Sequence, residues 1–117
     1  AYIARNDAHN ALLQQLRLRL RDKYKVAVCL GFGPRFLHST GQAYKGGANN
    51  GVFLQITSDH ALDLQVPGHG YSFGMVEAAQ AQGDFGVLAE RGRRVLRVHL
   101  GADVTTGLRE LDKLLAS

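Results

Sequence analysis

The sequence predicts an α/β domain, a three-layer αβα sandwich with a mostly parallel sheet. Three observations carry that prediction. Short apolar, strand-like runs at Val26–Leu30, Val52–Thr57 and Arg94–Leu100 are separated by segments of helical spacing. The first of these runs is continuously apolar, as strands of a sheet covered on both faces are. Glycines stand at the junctions, where alternating elements need breaks.

Ala1–Arg5 is short and apolar and predicts a strand. Asn6 and Asp7 are helix-capping types. Leu12, Leu13, Leu16 and Leu20 recur at helical spacing, so residues 8–23 predict a helix. The local Leu16–Arg21 alternation imitates period two, but Asn6–Lys23 has no breaker and is too long for a typical strand. Val26–Leu30, ended by Gly31, reads as a strand buried on both faces, which makes Cys29 a buried small hydrophobe. Residues 37–45 predict a short helix ended by Gly46-Gly47. Asn49-Asn50-Gly51 predicts a turn before the strand Val52–Thr57. Ser58–Gly70 reads mostly as loop, with Leu62–Val66 as a short edge strand before Pro67. Tyr71–Gln82 predicts a helix with Phe73, Val76, Ala78 and Ala79 available to pack. Gly83 ends it, and Asp84 caps a second helix, 85–91, which Gly92 ends. Arg94–Leu100 is the last strand and Val104–Leu115 a closing helix capped near Asp103. No internal repeat, low-complexity segment or linker interrupts this order.

With 117 residues the chain supports one domain. A hydrophobic content of 45% and a charged content of 21% place it in the soluble globular class. No apolar run approaches the roughly 18 residues of a membrane helix, and no signal-peptide pattern is present. Cys29 is the single cysteine, which excludes an internal disulfide and suits a reducing cytoplasm. Much of the net charge of +4 comes from Arg17, Arg19, Arg21, Lys23 and Lys25. Aromatic residues for base stacking do not interleave there, so the run reads as a solvated helix face rather than a nucleic-acid patch. The chain starts with Ala1 inside a predicted strand, which predicts a piece of a longer protein.

The densest chemistry lies in residues 31–51, which hold six of the chain's 14 glycines beside Arg35, His38, Ser39, Thr40, Gln42 and Lys45. Glycine lets backbone N–H groups approach a ligand closely. Hydroxyls, an amide, an imidazole and two cations beside it suit an anionic, polyhydroxylated ligand such as a sugar phosphate. In open parallel sheets ligands bind beyond the carboxyl ends of the strands, which is where the Gly31–His38 loop is expected. The loops after Thr57 and Leu100 are expected to share that edge. Each residue has two readings. Ser39 and Thr40 bind phosphate at a helix start or simply cap it. Arg35 forks onto phosphate or pairs on the surface. Gln42 bonds sugar hydroxyls or is solvated. Lys45 is a ligand contact or a helix-end cation. His60 and His69 flank a loop with Asp59 and Asp63, in a spacing that matches no metal site. His99 reads as a satisfied core or edge residue, and His9 as solvated. No Ser-His-Asp order, nucleophile elbow, Walker loop or dinucleotide fingerprint is present, and no metal or organic cofactor is implied.

The block Gly31-Phe-Gly-Pro-Arg-Phe-Leu-His-Ser-Thr-Gly-Gln42, with Lys45-Gly-Gly47 and Phe53-Leu-Gln55, resembles the C-terminal region of bifunctional transaldolase/glucose-6-phosphate isomerases. So does Val66-Pro-Gly-His-Gly-Tyr-Ser-Phe-Gly74 with Ala78-Ala-Gln-Ala-Gln-Gly-Asp84. The resemblance spans residues 26–100 and implies a sugar-isomerase (SIS) domain that interconverts glucose 6-phosphate and fructose 6-phosphate. It also implies upstream isomerase and transaldolase domains in the same chain, a homo-oligomer and little turnover from this piece alone. Leu37-His-Ser-Thr-Gly-Gln42 is similar to a pattern in single-function phosphoglucose isomerases whose histidine assists ring opening, which implies that role for His38. An imidazole titrates in the range that step needs. Those enzymes carry a glutamate base about twenty residues earlier. Here Arg17–Lys25 has only Asp22. Near the position of a family lysine stands Glu77, a second acid–base candidate. The missing glutamate keeps a rival open, a noncatalytic sugar-phosphate-binding module. A third reading is a domain that only supports a catalytic neighbour.

Overall fold

The computed structural model describes residues 1–33, 46–59 and 64–116. In chain order these form helix α1 (Asp7–Tyr24), strand β1 (Val52–Thr57), helix α2 (Phe73–Glu90), strand β2 (Arg94–His99) and helix α3 (Val104–Ala116). β1 and β2 are parallel and paired in register from Val52↔Arg94 to Thr57↔His99, with α2 as the crossover between them. The chain is therefore mixed α/β with a parallel strand pair. No helix of the described residues is long and apolar enough to cross a membrane.

The period of two along the strands divides the sheet chemically. Leu54, Ile56 and Val98 point to one side, where they join Leu13 and Leu16 of α1 and Leu108 and Leu111 of α3 in the core. Gln55, Thr57, Arg97 and His99 point to the other side, beneath α2. Gly74, Ala81 and Leu88 are the buried positions of α2, seven residues apart, so they fall on nearly one line down the helix.

α1 starts where the Asn6 side chain accepts the His9 N–H at 2.8 Å. It ends at Lys25, whose φ of 56° puts it in the left-handed region. Arg19 grips Asp112 of α3 with two bonds of 2.7 and 3.0 Å. Arg17 bonds Gln14 and the Val28 carbonyl, Arg21 pairs with Asp22, and Lys23 donates to the Leu115 carbonyl. The basic run thus secures its own fold. Asp103 caps α3, accepting the Thr106 N–H at 3.1 Å, and the Thr106 bonds hold its carboxyl below the usual carboxylate range. At Gly107 a Cβ would sit 2.9 Å from Leu100 Cβ, so only glycine lets α3 lie this close to the end of β2.

Several sequence expectations are corrected. Val26–Leu30 is not a strand and pairs with none among the described residues, and Val26 is 52% exposed. An apolar run becomes a doubly buried strand only with a strand to pair with, and here the neighbouring bonds are those of Gly31 and Gly33 to Ala1. Cys29 is consequently exposed rather than buried. Ala1–Arg5 contributes a single parallel bridge, Tyr2↔Thr57, rather than a full strand. Gly83 does not end a helix, and Asp84 caps none, because α2 runs unbroken to Glu90. A helix-interior glycine costs about 1 kcal/mol, and the buried anchors Ala81 and Leu88 on either side of Gly83 outweigh it. Within Leu62–Val66, Gln65 makes one antiparallel bridge to Ser72, and residues 62 and 63 lie outside the described residues. His9 is not simply solvated: its Nδ1 lies 2.7 Å from the Ala4 carbonyl oxygen.

Candidate functional site

A cleft of about 330 Å³ opens at the carboxyl ends of β1 and β2, between the sheet and α2. That volume is at the lower end of what small-molecule sites occupy. Thr57, Ser58, Arg97 and His99 line it from the sheet, and Glu77, Ala78, Ala81 and Gln82 from α2, with Tyr2 at one side. The loops after the two strands close its edge together: Leu100 N–H donates to the Thr57 carbonyl at 2.8 Å, and Asp59 N–H to the Gly101 carbonyl at 2.9 Å. Their shared position is the one the sequence predicted.

Two cross-strand pairs organise the sheet side. The first is Thr57 with His99, whose Nδ1 lies 2.9 Å from Thr57 Oγ1 while Nε2 lies 2.9 Å from Asp59 Oδ1. A carboxylate only accepts, so Nε2 carries the proton and donates to Asp59. In the neutral imidazole Nδ1 then accepts the Thr57 hydroxyl proton. The result is a hydrogen-bonded line, Thr57–His99–Asp59, along the cleft edge. The second pair is Gln55 with Arg97. Arg97 Nε donates to Gln55 Oε1 at 2.9 Å, and the Gln55 amide nitrogen donates to the Ala81 carbonyl at 2.8 Å. Gln55 is buried, and both ends of its amide are satisfied, which fixes its orientation. The Arg97 guanidinium also lies over the Phe85 ring at 4.8 Å.

Tyr2 forms a wall of the cleft and donates its hydroxyl proton to Asp84 Oδ2. Burial first, then the bond to Asp84, push its phenol well above the usual tyrosine range, and the charge of Glu77 adds to the shift. A raised folded-state value means that this tyrosine's contribution to stability is complete below its unfolded value, near pH 10. It is lost as pH rises toward the folded value. Thermal melts between pH 8 and 12 should therefore show stability falling above about pH 10. Tyr2→Phe should fall less steeply, and an equal slope in both proteins would remove Tyr2 as the cause.

Of the residues expected from sequence, Glu77 is at the cleft, half-buried in the first turns of α2. Arg35, His38, Ser39, Thr40, Gln42 and Lys45 lie outside the described residues, as do His60 and Asp63. Asp22 is exposed on α1 and pairs with Arg21 at 3.0 Å. His69 stacks on Tyr71 with ring centroids 5.0 Å apart. His99 is a satisfied edge residue, as the sequence predicted, yet it also faces the cleft. Among the described residues no three His, Cys, Asp or Glu side chains converge to hold a metal ion.

No protein-family model and no curated protein sequence matches the chain. A crystal structure of a hypothetical protein from Thermus thermophilus superposes with a TM-score of 0.68 over 78% of this chain, at 19% identity. The chain spans 25% of that protein's length. At this identity the likeness carries the fold alone, and it agrees with the α/β architecture built above.

The residues that sequence reasoning passed over are Thr57, Arg97 and His99. Their signal was a period-two polar pattern in both strands, Gln55 and Thr57 in one and Arg97 and His99 in the other. A sheet face covered by a helix is ordinarily apolar; here Thr57, Arg97 and His99 line the cleft and Gln55 lies buried beside them.

Proposed function

We propose that this chain is an SIS-type sugar-phosphate domain. In this reading it is a three-layer sandwich serving the isomerase portion of a cytoplasmic transaldolase/glucose-6-phosphate isomerase. The observation that carries the reading is Glu77, a half-buried carboxylate facing Thr57, Ser58 and Arg97 in a cleft at the carboxyl edge of a parallel strand pair. His38 opens the ring of glucose 6-phosphate by moving a proton between the anomeric hydroxyl and the ring oxygen. Glu77 then takes the proton from C2 of the open aldehyde, the O2 hydroxyl proton passes to O1 across the cis-enediol(ate), and Glu77 returns its proton to C1, which leaves fructose 6-phosphate with its carbonyl at C2. Thr57, Ser58 and Gln82 offer hydrogen bonds to the sugar hydroxyls, and Ser39, Thr40, Gln42, Arg35 and Lys45 are further ligand contacts. Phe73, Met75 and Leu96 expose 54%, 59% and 62% of their surfaces. Apolar surface of that kind suits cover by a neighbouring domain or a second copy.

A noncatalytic sugar-phosphate-binding module is the second reading. Asp22, exposed and paired with Arg21, is poorly placed as a buried base, which favours it. One assay separates the two. In the intact protein, His38→Ala should slow turnover of cyclic glucose 6-phosphate by about 10²- to 10⁴-fold and spare the open-chain aldehyde. Equal loss on both forms excludes the ring-opening role. Sugar-phosphate binding without turnover in the unaltered protein establishes the binding module instead.

A further inference from the structure

We infer that Arg97 is the anion anchor of the cleft and takes the phosphate group of a phosphomonoester ligand. The inference deepens the reading above: it rests on that reading for the sugar and not for the anion. Arg97 is held from two sides. Its Nε is bonded to the buried Gln55, and its guanidinium lies on the face of Phe85. Gln55 is itself fixed by the Ala81 carbonyl. Arg97 is exposed, yet a guanidinium held at these two points has given up part of its rotamer freedom before any ligand arrives, which lowers the cost of binding. One of its five N–H donors is used by Gln55, leaving four in the planar fork that matches phosphate oxygens. Among the described residues no carboxylate forms an ion pair with it, so its charge is not already neutralised.

The neighbours set the direction of the ligand. Arg97 and His99 are two positions apart on β2, so they share a face and stand about 7 Å apart along the strand. Glu77 repels a phosphate dianion and accepts from hydroxyls. Both His99 ring nitrogens are engaged by Thr57 and Asp59, and the Thr57 hydroxyl oxygen beside them still has a lone pair to accept from a ligand hydroxyl. The phosphate therefore sits at Arg97, with the hydroxylated carbons toward His99 and Glu77. The sequence placed phosphate only at Arg35, Ser39 and Thr40, so Arg97 is an addition to that set.

Isothermal titration with inorganic phosphate, glucose 6-phosphate and glucose, on the unaltered protein, Arg97→Gln and Arg97→Lys, tests the assignment. Arg97→Gln should weaken both phosphate ligands by about 10- to 100-fold and leave glucose unchanged, a pattern that a purely structural role does not produce. Arg97→Lys keeps the stem and the charge but loses the fork, and should fall in between. It also guards against a Gln variant that does not fold. Phosphate binding that depends on Arg97, with no added affinity for glucose 6-phosphate, upholds the anchor and rejects the sugar reading. Glucose 6-phosphate binding that is indifferent to both substitutions overturns the anchor and spares the sugar reading. An unaltered protein that binds neither phosphate ligand overturns both.

Discussion

Leu108→Ala should lower the unfolding free energy by about 3–5 kcal/mol, the upper half of the range for such truncations. Leu108 is 1% exposed and belongs to the cluster that joins α1, α3 and the apolar face of the sheet through Leu13, Leu16, Ile56 and Leu111. The cavity left behind cannot close easily. α1 and α3 are clamped by Arg19 and Asp112, and α3 already touches the end of β2 at Gly107. Small domains have about 5–15 kcal/mol in total, so this one substitution removes a large share. Leu114, on the same helix and 72% exposed, is the control, and Leu114→Ala should change stability by no more than about 0.5 kcal/mol. Urea unfolding followed by circular dichroism measures both. Similar midpoints for the two variants would mean that α3 does not pack as described.

For the proposed isomerase, Glu77→Gln in the intact protein should lower turnover by about 10²- to 10⁴-fold while changing sugar-phosphate affinity only a few-fold. Glutamine keeps the shape and a hydrogen-bonding carbonyl but cannot take a proton from carbon. The specific readout is exchange of the C2 hydrogen of glucose 6-phosphate with deuterated solvent, which should slow with turnover. The same variant should also lessen the alkaline displacement of Tyr2, because the Glu77 charge contributes to it. Unimpaired exchange in Glu77→Gln would take the base role away from this residue.

α1, β1, β2 and α3 were legible because each carries a plain local signal: leucines at helical spacing in α1, short apolar runs in the strands, Asp103 before α3. Val26–Leu30 was misread because an apolar run specifies burial and not a pairing partner. Gly83 was misread because local propensity is weak beside the packing of Ala81 and Leu88 across it. The cleft was half legible. The polar positions at 55, 57, 97 and 99 stand in the sequence, but the register that sets Gln55 beside Arg97 and Thr57 beside His99 is a tertiary fact. Glu77 was found through its neighbours in a resembling segment, and its place opposite that sheet face follows only from how α2 lies.

Sugar-phosphate binding is proposed for the cleft between α2 and the carboxyl ends of β1 and β2. Titrating glucose 6-phosphate into isotopically labelled protein, read by amide and imidazole NMR shifts, tests it most directly. Saturable shifts are expected at Thr57, Ser58, Glu77, Arg97 and the His99 ring, with little change at Arg21 or Leu114. Saturable shifts that leave those five residues unmoved, or no binding at all, would contradict it.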